Sequence, residues 1–219
     1  VFLDSFGLSS IKQLPEPKNV ELTDEDLDEQ SQMLFERFEV RQMTFDDIER
    51  ISKMAIARNI AVASHDDDDI AKLQVVQSYG TTISEFPITL DVAKEAKRMG
   101  MYTIAGAPNI LNGGSHSGNL SASEAIQARV IDIICSDYYP PAMLLGIFEL
   151  ASKYEEDLHR LFQLVTINPA RAVNMDAEIG SIARGKKADI IVIEQMDDGY
   201  PVVTSTIVDG NVIMQTNYR

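Results

Sequence analysis

The sequence predicts an α/β protein in which a parallel sheet of βα units is followed by a small antiparallel element. From Asn59 onward, short apolar runs alternate with amphipathic helical segments. Strands separated by helices pair in parallel, because parallel neighbours need a crossover connection. From Ile182 to Arg219 the pattern changes to β-branched runs separated by Asp-Gly turns, which are typical of antiparallel hairpins.

Four apolar runs are predicted to be the strands of these βα units. They are Asn59–Ser64, Thr81–Ser84, Met101–Ala105 and Val130–Cys135. Apolar residues at helical spacing predict helices over Ile70–Tyr79, Leu90–Met99, Ser121–Ala128, Ala142–Ser152 and Asp157–Thr166. Asp157 is expected to be the N-cap of its helix. Asn168-Pro169 is expected to open one more short helix, with the asparagine as cap.

The region before Asn59 adds helices and one more strand. Thr23 and Thr44 each have an aspartate three positions later, Asp26 and Asp47, which indicates two capping boxes. Val1–Asp4 is expected to be a strand end. The sequence therefore supplies about five of eight possible strands, whereas a complete (β/α)8 barrel takes about 250 residues.

Composition excludes several classes of protein. The chain of 219 residues has 34 acidic and 19 basic side chains and a net charge of −15. Without a basic stripe, it is a poor candidate for binding nucleic acid or an anionic membrane surface. One cysteine excludes a disulfide framework and fits the cytoplasm. No apolar run approaches the roughly 20 residues of a membrane span.

Three predicted strands are followed by a serine and then by a residue that can bind a metal. These pairs are Ser64-His65, Ser84-Glu85 and Ser136-Asp137. Because the carboxyl ends of parallel strands share one edge, the side chains are expected to converge there, together with His116. Imidazole and carboxylate ligands suit a divalent metal, and Asp137 could also act as a general base.

Each of these side chains also has a structural interpretation. His65 could be a solvated loop histidine, Glu85 a charge at a helix N-terminus, and Asp137 the cap of the following turn and helix. His159 lies on a helix among charges and is expected at the surface. The run Asp66–Asp69 is either a solvated loop or a site for a second divalent ion.

The segment Gly106–Leu120 is the longest connection expected between predicted elements. It is either a flexible glycine-rich loop or a functional one. Its backbone N–H groups suit an anion such as phosphate, although the Gly-Lys-Ser/Thr of a P-loop is absent. The expected substrate-binding residues are Gly113, Gly114, Ser115, His116, Ser117, Gly118 and Asn119.

Several motifs resemble the amidohydrolase superfamily. They are SHDDD, ISEFP, GAPN with GGSHSGN, SDYYP, NPARAV and GSIARGKKADIIVI, and they extend from about Ile60 to Val208. GGSHSGN and SHDD are similar to the phosphonate-metabolism branch, the ribose methylphosphonate triphosphate diphosphatases. The resemblance implies the C-terminal portion of a (β/α)8 TIM-type barrel over residues 1–175. It also implies strands of a small β-sandwich over 176–219.

The same resemblance implies roles for individual residues. His65, Asp137 and Glu85 fall at strand ends where the family binds metal, and His116 falls in the loop after the seventh barrel strand. Two features depart from the family. The His-x-His pair of the first barrel strand is absent, and Ser5 follows Asp4 where relatives tend to have histidine. The first departure and the missing initiator Met suggest a chain that lacks its N-terminal part.

The function expected from the resemblance is metal-dependent hydrolysis of a ribose phosphonate triphosphate, with release of pyrophosphate. Zn²⁺ or Mn²⁺ would be the cofactor and a small phosphorylated molecule the substrate. Asp137 would bind metal and take the proton of the attacking water, while His116 would stabilise phosphoryl charge. The alternatives are hydrolysis of cyclic amide or N-acyl C–N bonds, or an inactive fragment. A homo-oligomer, or association with a missing N-terminal segment, is expected in the cytoplasm.

Overall fold

The computed structural model describes residues 2–3, 43–114 and 118–218. Within these ranges the chain forms a five-stranded parallel sheet followed by a separate three-stranded antiparallel sheet. The α/β class predicted from the sequence is therefore confirmed. The predicted capping box at Thr23 and the loop residues Ser115, His116 and Ser117 lie outside the described residues.

The parallel sheet has its strands in chain order, β1 to β5. They are β1 (Phe2–Leu3), β2 (Ala63–His65), β3 (Ile83–Glu85), β4 (Tyr102–Gly106) and β5 (Ile133–Cys135). The antiparallel strands are β6 (Ile190–Gln195), β7 (Pro201–Val208) and β8 (Asn211–Gln215). The strand expected at Val1–Asp4 is thus present as β1, and β2 and β5 are shorter than the apolar runs that predicted them.

The helices of the described ranges connect the parallel strands and follow the last of them. They are α1 (Phe45–Ile56), α2 (Ile70–Ser78), α3 (Leu90–Arg98), α4 (Ala107–Leu111), α5 (Ala122–Gln127), α6 (Ala142–Tyr154), α7 (Leu158–Gln163) and α8 (Ile167–Ala172). No helix in these ranges has the length and apolar character needed to cross a bilayer.

Side-chain caps begin most of the longer helices. Thr44 and Asp47 form the predicted capping box of α1, and Asp157 caps α7 as expected. The expectation for Asn168 is wrong, because the N-cap of α8 is Thr166 and the helix begins at Ile167, two residues earlier than expected. Asn168 lies inside the helix, and its Nδ2 donates to the carbonyl oxygen of Asp132, 2.9 Å away. This bond attaches α8 to the start of β5.

The predicted loop Gly106–Leu120 is partly helical. Its residues 107–111 form α4, which has Pro108 in its first turn, a position where proline is tolerated because no intrahelical N–H is needed there. Ile110 is buried against Gly146 of α6, so packing stabilises this one-turn helix. The segment was predicted as a loop, flexible or functional, and the helix within it was not foreseen because glycines and a proline obscure the short apolar face.

The two faces of the parallel sheet carry different clusters. Ala105 and Ile134 pack against the helices in the larger cluster. Ala63, Ile83 and Ile133 form a smaller cluster with Ala172 of α8. Because side chains alternate along a strand, Ala63 shares a sheet face with His65, and Ile83 shares it with Glu85. The smaller cluster is therefore the base beneath these two side chains.

The antiparallel sheet begins after a connection that packs on α8. β6, β7 and β8 pair in sequence, with irregularities between Val192 and Ile193 and between Thr206 and Ile207. These hairpins were predicted from the Asp-Gly turns. The division of the chain at residue 175 stays a prediction.

Gly180 and Gly185 provide a test of this connection, because both have a positive φ but different surroundings. A Cβ on Gly180 (φ +84°) would lie 2.8 Å from the Ala170 Cβ, whereas nothing lies within 4 Å of one on Gly185 (φ +91°). We expect Gly185→Ala to lower the free energy of unfolding by about 1–2 kcal/mol through backbone strain. Gly180→Ala should lower the free energy of unfolding by about 1–3 kcal/mol more than Gly185→Ala, because the added methyl group would also clash with Ala170.

Urea denaturation of the two variants measures this difference. Equal losses would show that Gly180 is not packed against α8 in solution.

Candidate functional site

The carboxyl edge of the parallel sheet, here called the rim, brings the predicted metal-binding residues into one region. His65 and Glu85 are the last residues of β2 and β3 and are register partners across the two strands. Asp137 lies two residues beyond the end of β5. Glu85 is buried, with 9% of its surface exposed, His65 is half-buried and Asp137 is exposed.

His65 makes its contacts within the rim. Its ring packs edge-on against Phe86, with ring centroids 5.2 Å apart. The Nδ1 atom lies 3.1 Å from an oxygen of Asp66, but the pair does not meet hydrogen-bond geometry. Nδ1 of His65 and Oε2 of Glu85 are thus buried atoms with no hydrogen-bond partner among the described residues. Buried polar atoms without partners are uncommon in proteins. Ser52, Thr81 and Asp67 also have such an atom in the described ranges, but only at the rim do an imidazole nitrogen and a carboxylate oxygen of register partners occur together.

The rim is electrostatically unfavourable for carboxylates. Burial raises the pKa of Glu85 above its usual range, and repulsion from Asp137 and Asp66 raises it further, while His65 opposes the shift. Burial likewise raises the pKa of the Cys135 thiol to about 11, with Glu85 and Asp137 contributing. A cation would relieve this repulsion among like charges.

Asp137 is held in an unusual backbone conformation beside a glycine. Its φ is +49°, a left-handed value that is uncommon outside glycine. Gly106, at the end of β4, leaves room for its side chain: a Cβ on Gly106 would lie 3.3 Å from Asp137 Oδ2. Asp66 and Phe86, which directly follow β2 and β3, also have positive φ values of 52° and 55°. The chain thus turns sharply as it leaves each of these strands.

A cavity of about 250 Å³ opens at the rim next to Asp137. Phe86, Pro87 and Tyr138 supply apolar and aromatic walls, and Asp66 and Asp137 supply charge. Among the described residues that line it, none is a lysine or arginine. A polyanionic substrate therefore needs positive charge from another source.

Two of the predicted substrate-binding residues border this cavity. Gly114 and Asn119 are lining residues, and Gly113 and Gly118 have φ values of 72°. Asn109 holds the ends of this segment together: its Oδ1 accepts from the N–H of Ala122 at 2.9 Å, and its Nδ2 donates to the Leu120 carbonyl at 3.2 Å. Sequence reasoning missed this role, although Asn109 belongs to the quoted GAPN motif.

The acidic run after β2 has a different function at each position. Asp66 is exposed on the rim, Asp67 is completely buried, and Asp69 caps α2 by accepting from the N–H of Lys72. The interpretation of the run as a solvated loop is therefore wrong for the buried Asp67, whereas Asp69 is exposed and has an additional role as a cap. The sequence places Ser64 and Ser84 at equivalent strand ends, but only the register of β2 and β3 shows that both hydroxyls meet Asp67.

Glu85 and Asp137 do not have the helix-end roles that were the structural alternatives to metal binding. Glu85 is not a charge at a helix N-terminus, since it ends β3 and Thr89 caps the next helix. Asp137 does not cap α6, which follows Pro141 without a side-chain cap. His159 is exposed, as expected.

A divalent metal is implied by these donors, and the residues present fit one in part. His65 and Glu85 are register partners, and they supply an imidazole nitrogen and a carboxylate oxygen that are buried and without hydrogen-bond partners among the described residues. In the part of the chain that the structure describes, no group of three or more His, Cys, Asp and Glu side chains is arranged to hold a metal. The predicted set of His65, Glu85 and Asp137 therefore stays a prediction, with two members placed side by side.

Comparisons with known sequences show the relationships of the chain. A profile described as the Amidohydrolase family matches residues 15–213. The chain is 41% identical over 152 residues to alpha-D-ribose 1-methylphosphonate 5-triphosphate diphosphatase of Escherichia coli (strain K12), covering 68% of the chain and 40% of that protein. It is 33% identical over 121 residues to an adenine deaminase of Clostridium botulinum (strain Loch Maree / Type A3), covering 53% of the chain and 20% of that protein. The chain thus spans less than half the length of these relatives.

Solved structures share the fold at low sequence identity. An amidohydrolase from Thermotoga maritima MSB8 superimposes with a TM-score of 0.61 at 16% identity, covering 87% of the chain and 52% of that protein. An adenosine deaminase from Xanthomonas campestris with bound zinc superimposes with a TM-score of 0.58 at 15% identity, covering 80% of the chain and 50% of that protein. These likenesses establish the architecture, in which the chain corresponds to about half of each neighbour.

Gly106→Ala tests the placement of Asp137. The added methyl group would lie within 3.3 Å of Asp137 Oδ2 and should displace the carboxylate. We expect activity of the intact protein to fall at least about tenfold, since small displacements of catalytic groups are costly. Gly146→Ala is the matched control, because its Cβ would also meet a neighbour at 3.3 Å, but in the core against Ile110. An equal loss of activity in both variants would mean that only folding is affected.

Asn109→Ala tests how the segment beside the cavity is anchored. Loss of two hydrogen bonds to the backbone should lower the free energy of unfolding by about 1–3 kcal/mol. It should also speed amide hydrogen exchange at Ala122, whose N–H loses its acceptor. Asn174→Ala, which removes an exposed contact with Asn59, serves as control. Unchanged exchange at Ala122 would contradict the anchoring role.

Proposed function

Because this chain belongs to the amidohydrolase family, we propose that it forms part of a metal-dependent hydrolase that cleaves the triphosphate of a ribose phosphonate and releases pyrophosphate. The substrate class comes from the Escherichia coli relative, whose name specifies a ribose methylphosphonate triphosphate. The activity is that of the intact protein that carries this chain. The substrate would be a small phosphorylated molecule, which together with the single cysteine favours the cytoplasm.

One observation supports the hydrolase most directly. His65 and Glu85 are register partners, and His65 Nδ1 and Glu85 Oε2 are buried atoms without hydrogen-bond partners in the described ranges, at the rim that also carries Asp137 and Asp66. Imidazole and carboxylate donors favour Zn²⁺ or Mn²⁺ among divalent ions. We propose that His65, Glu85 and Asp137 hold such an ion, which would supply Lewis acidity and neutralise phosphoryl charge.

The charge of the cavity supports a requirement for a cation. Its described lining contains Asp66 and Asp137 but neither lysine nor arginine. A triphosphate entering this cavity would meet two carboxylates, and bound divalent ions reverse such a field. Metal would therefore be needed for substrate binding as well as for the reaction.

The remaining roles are proposed for Asp137, for the glycine-rich segment and for two aromatic residues. Asp137 is exposed, faces the cavity and would accept the proton of the attacking water as a general base. Backbone N–H groups of the glycine-rich segment 113–119, with His116, would donate to phosphoryl oxygens. Tyr138 and Phe86 offer apolar surface for the sugar portion of the substrate.

Hydrolysis of a C–N bond is the second candidate. The similarity to adenine deaminase over 121 residues favours it. The described cavity, with an apolar wall and two carboxylates, would also suit an uncharged planar substrate. The two candidates differ in the product released, pyrophosphate in one case and ammonia or an amine in the other.

A metal-dependent product assay tests both candidates. The intact protein is treated with EDTA, reloaded with Zn²⁺ or Mn²⁺, and assayed for pyrophosphate from a 1-phosphonoribose 5-triphosphate and for ammonia from adenine. We expect pyrophosphate only after reloading. Asp137→Asn should reduce the rate at least about 100-fold by removing the general base, and His65→Ala should weaken metal retention.

The matched control is His159→Ala, because His159 is an exposed histidine on α7 and should not affect either property. Ammonia without pyrophosphate would favour the second candidate. Detection of neither product with any metal would contradict both candidates.

A further inference from the structure

We propose that Asp67 is a positioning residue for the metal-binding pair, because its buried carboxylate ties together the strand ends that carry His65 and Glu85. Asp67, Ser64, Ser84 and Lys72 form what we call the Asp67 clamp. The inference deepens the proposed function and rests on it in one respect, namely that His65 and Glu85 are ligands.

The clamp joins two neighbouring strands through one oxygen atom. Oδ2 of Asp67 accepts hydrogen bonds from the Ser64 hydroxyl at 2.6 Å and from the Ser84 hydroxyl at 2.5 Å. Ser64 and Ser84 are register partners in β2 and β3, and Asp67 is completely buried. Each serine directly precedes one of the two proposed ligands. Fixing the two serines therefore fixes the backbone from which His65 and Glu85 project.

Lys72 connects the same carboxylate to the chain after His65. Its Nζ donates to the carbonyl oxygens of His65 at 2.9 Å and Asp66 at 2.7 Å, and lies 3.7 Å from Asp67 Oδ1. A buried carboxylate is costly unless it is paired and hydrogen-bonded. The clamp supplies two hydrogen bonds to Oδ2 and a cation near Oδ1, although Oδ1 itself has no hydrogen-bond partner among the described residues. Lys72 also holds the sharp turn at Asp66, whose φ is +52°.

Main-chain bonds extend this fixation to the neighbouring loops. The Asp67 carbonyl accepts from the N–H of Ile88 at 2.9 Å, and the Ile88 carbonyl accepts from the N–H of Leu120 at 2.9 Å. Segments that follow β2, β3 and β4 are therefore joined in series. A shift of Asp67 would be transmitted to the boundary of the cavity, since Leu120 lines it.

A purely structural role is the alternative, and the chain provides a matched control for it. Asp132 precedes β5, at the opposite edge of the sheet. Its carboxylate binds Lys97 Nζ at 2.5 Å and the Thr103 N–H at 3.2 Å. Asp67 and Asp132 are thus both aspartates bound to a lysine and to groups of a neighbouring strand, but only Asp67 lies at the rim.

The test compares Asp67→Asn with Asp132→Asn in the intact protein. Zn²⁺ binding to the metal-free protein is measured by calorimetry, and the free energy of unfolding is measured in urea. We expect both variants to be less stable. Asp67→Asn should also weaken Zn²⁺ binding by about 10- to 100-fold, the usual effect of removing a group that orients metal ligands. Asp132→Asn should bind Zn²⁺ like the wild type.

A second readout does not depend on metal. Imidazole ¹H–¹⁵N spectra of the metal-free protein report the conformation of the His65 ring, and Asp67→Asn should shift or broaden its signals while Asp132→Asn leaves them unchanged. If Asp67→Asn does not fold, Ser64→Ala and Ser84→Ala each remove one donor and should give smaller changes in the same direction.

The outcomes separate the two proposals. Wild-type Zn²⁺ affinity and unchanged His65 signals in Asp67→Asn would overturn the clamp and leave the proposed function intact. No Zn²⁺ binding by the wild type, combined with altered His65 signals in Asp67→Asn, would contradict the proposed function but support the positioning role. Equal weakening of Zn²⁺ binding in both aspartate variants would mean that stability alone is responsible.

Discussion

The parallel register between β2 and β3 is the constraint on which the rest of the rim depends. It pairs Ser64 with Ser84 and, one residue later, His65 with Glu85. Because successive side chains point to opposite faces of a sheet, the two serines face one way and the two proposed ligands the other. The two serines, on one face of this short ladder, thus hold the strands together. His65 and Glu85, on the other face, are free to contact a ligand. A slip of one residue would exchange the two functions.

The same register creates an electrostatic cost that the described residues do not relieve. Glu85 is buried next to His65 and near Asp66 and Asp137, so its pKa is raised by burial and by like charge. The nearby cation Lys72 is already bound to backbone carbonyls and to Asp67. Groups of this kind are typical of functional sites, where a ligand supplies the missing charge. The arrangement favours a bound cation at the rim. The described residues that line the cavity include no lysine or arginine that could supply the positive charge instead.

Much of this could be predicted from the sequence, for definite physical reasons. Strand-end positions of His65, Glu85 and Asp137 follow from alternation of apolar runs and helices, since parallel strands end at one edge. Asp67 was missed because four consecutive aspartates indicate solvent, and only the three-dimensional register shows that two serine hydroxyls converge on one of them. Asn109 was missed for a similar reason: its partners, Leu120 and Ala122, are 11 and 13 residues away, beyond a segment rich in glycine.

Asp137 illustrates a second way in which this fold fixes a functional group. His65 and Glu85 are placed by regular strand geometry, whereas Asp137 follows β5 with a left-handed backbone and depends on the missing side chain of Gly106. Its φ of +49° is tolerated better by aspartate than by most residues. The rim therefore combines two proposed ligands on a rigid ladder with a carboxylate on a strained turn. Such strain persists only where the surrounding structure over-determines it, and the close approach of Asp137 to Gly106 at the end of β4 is part of that surrounding structure.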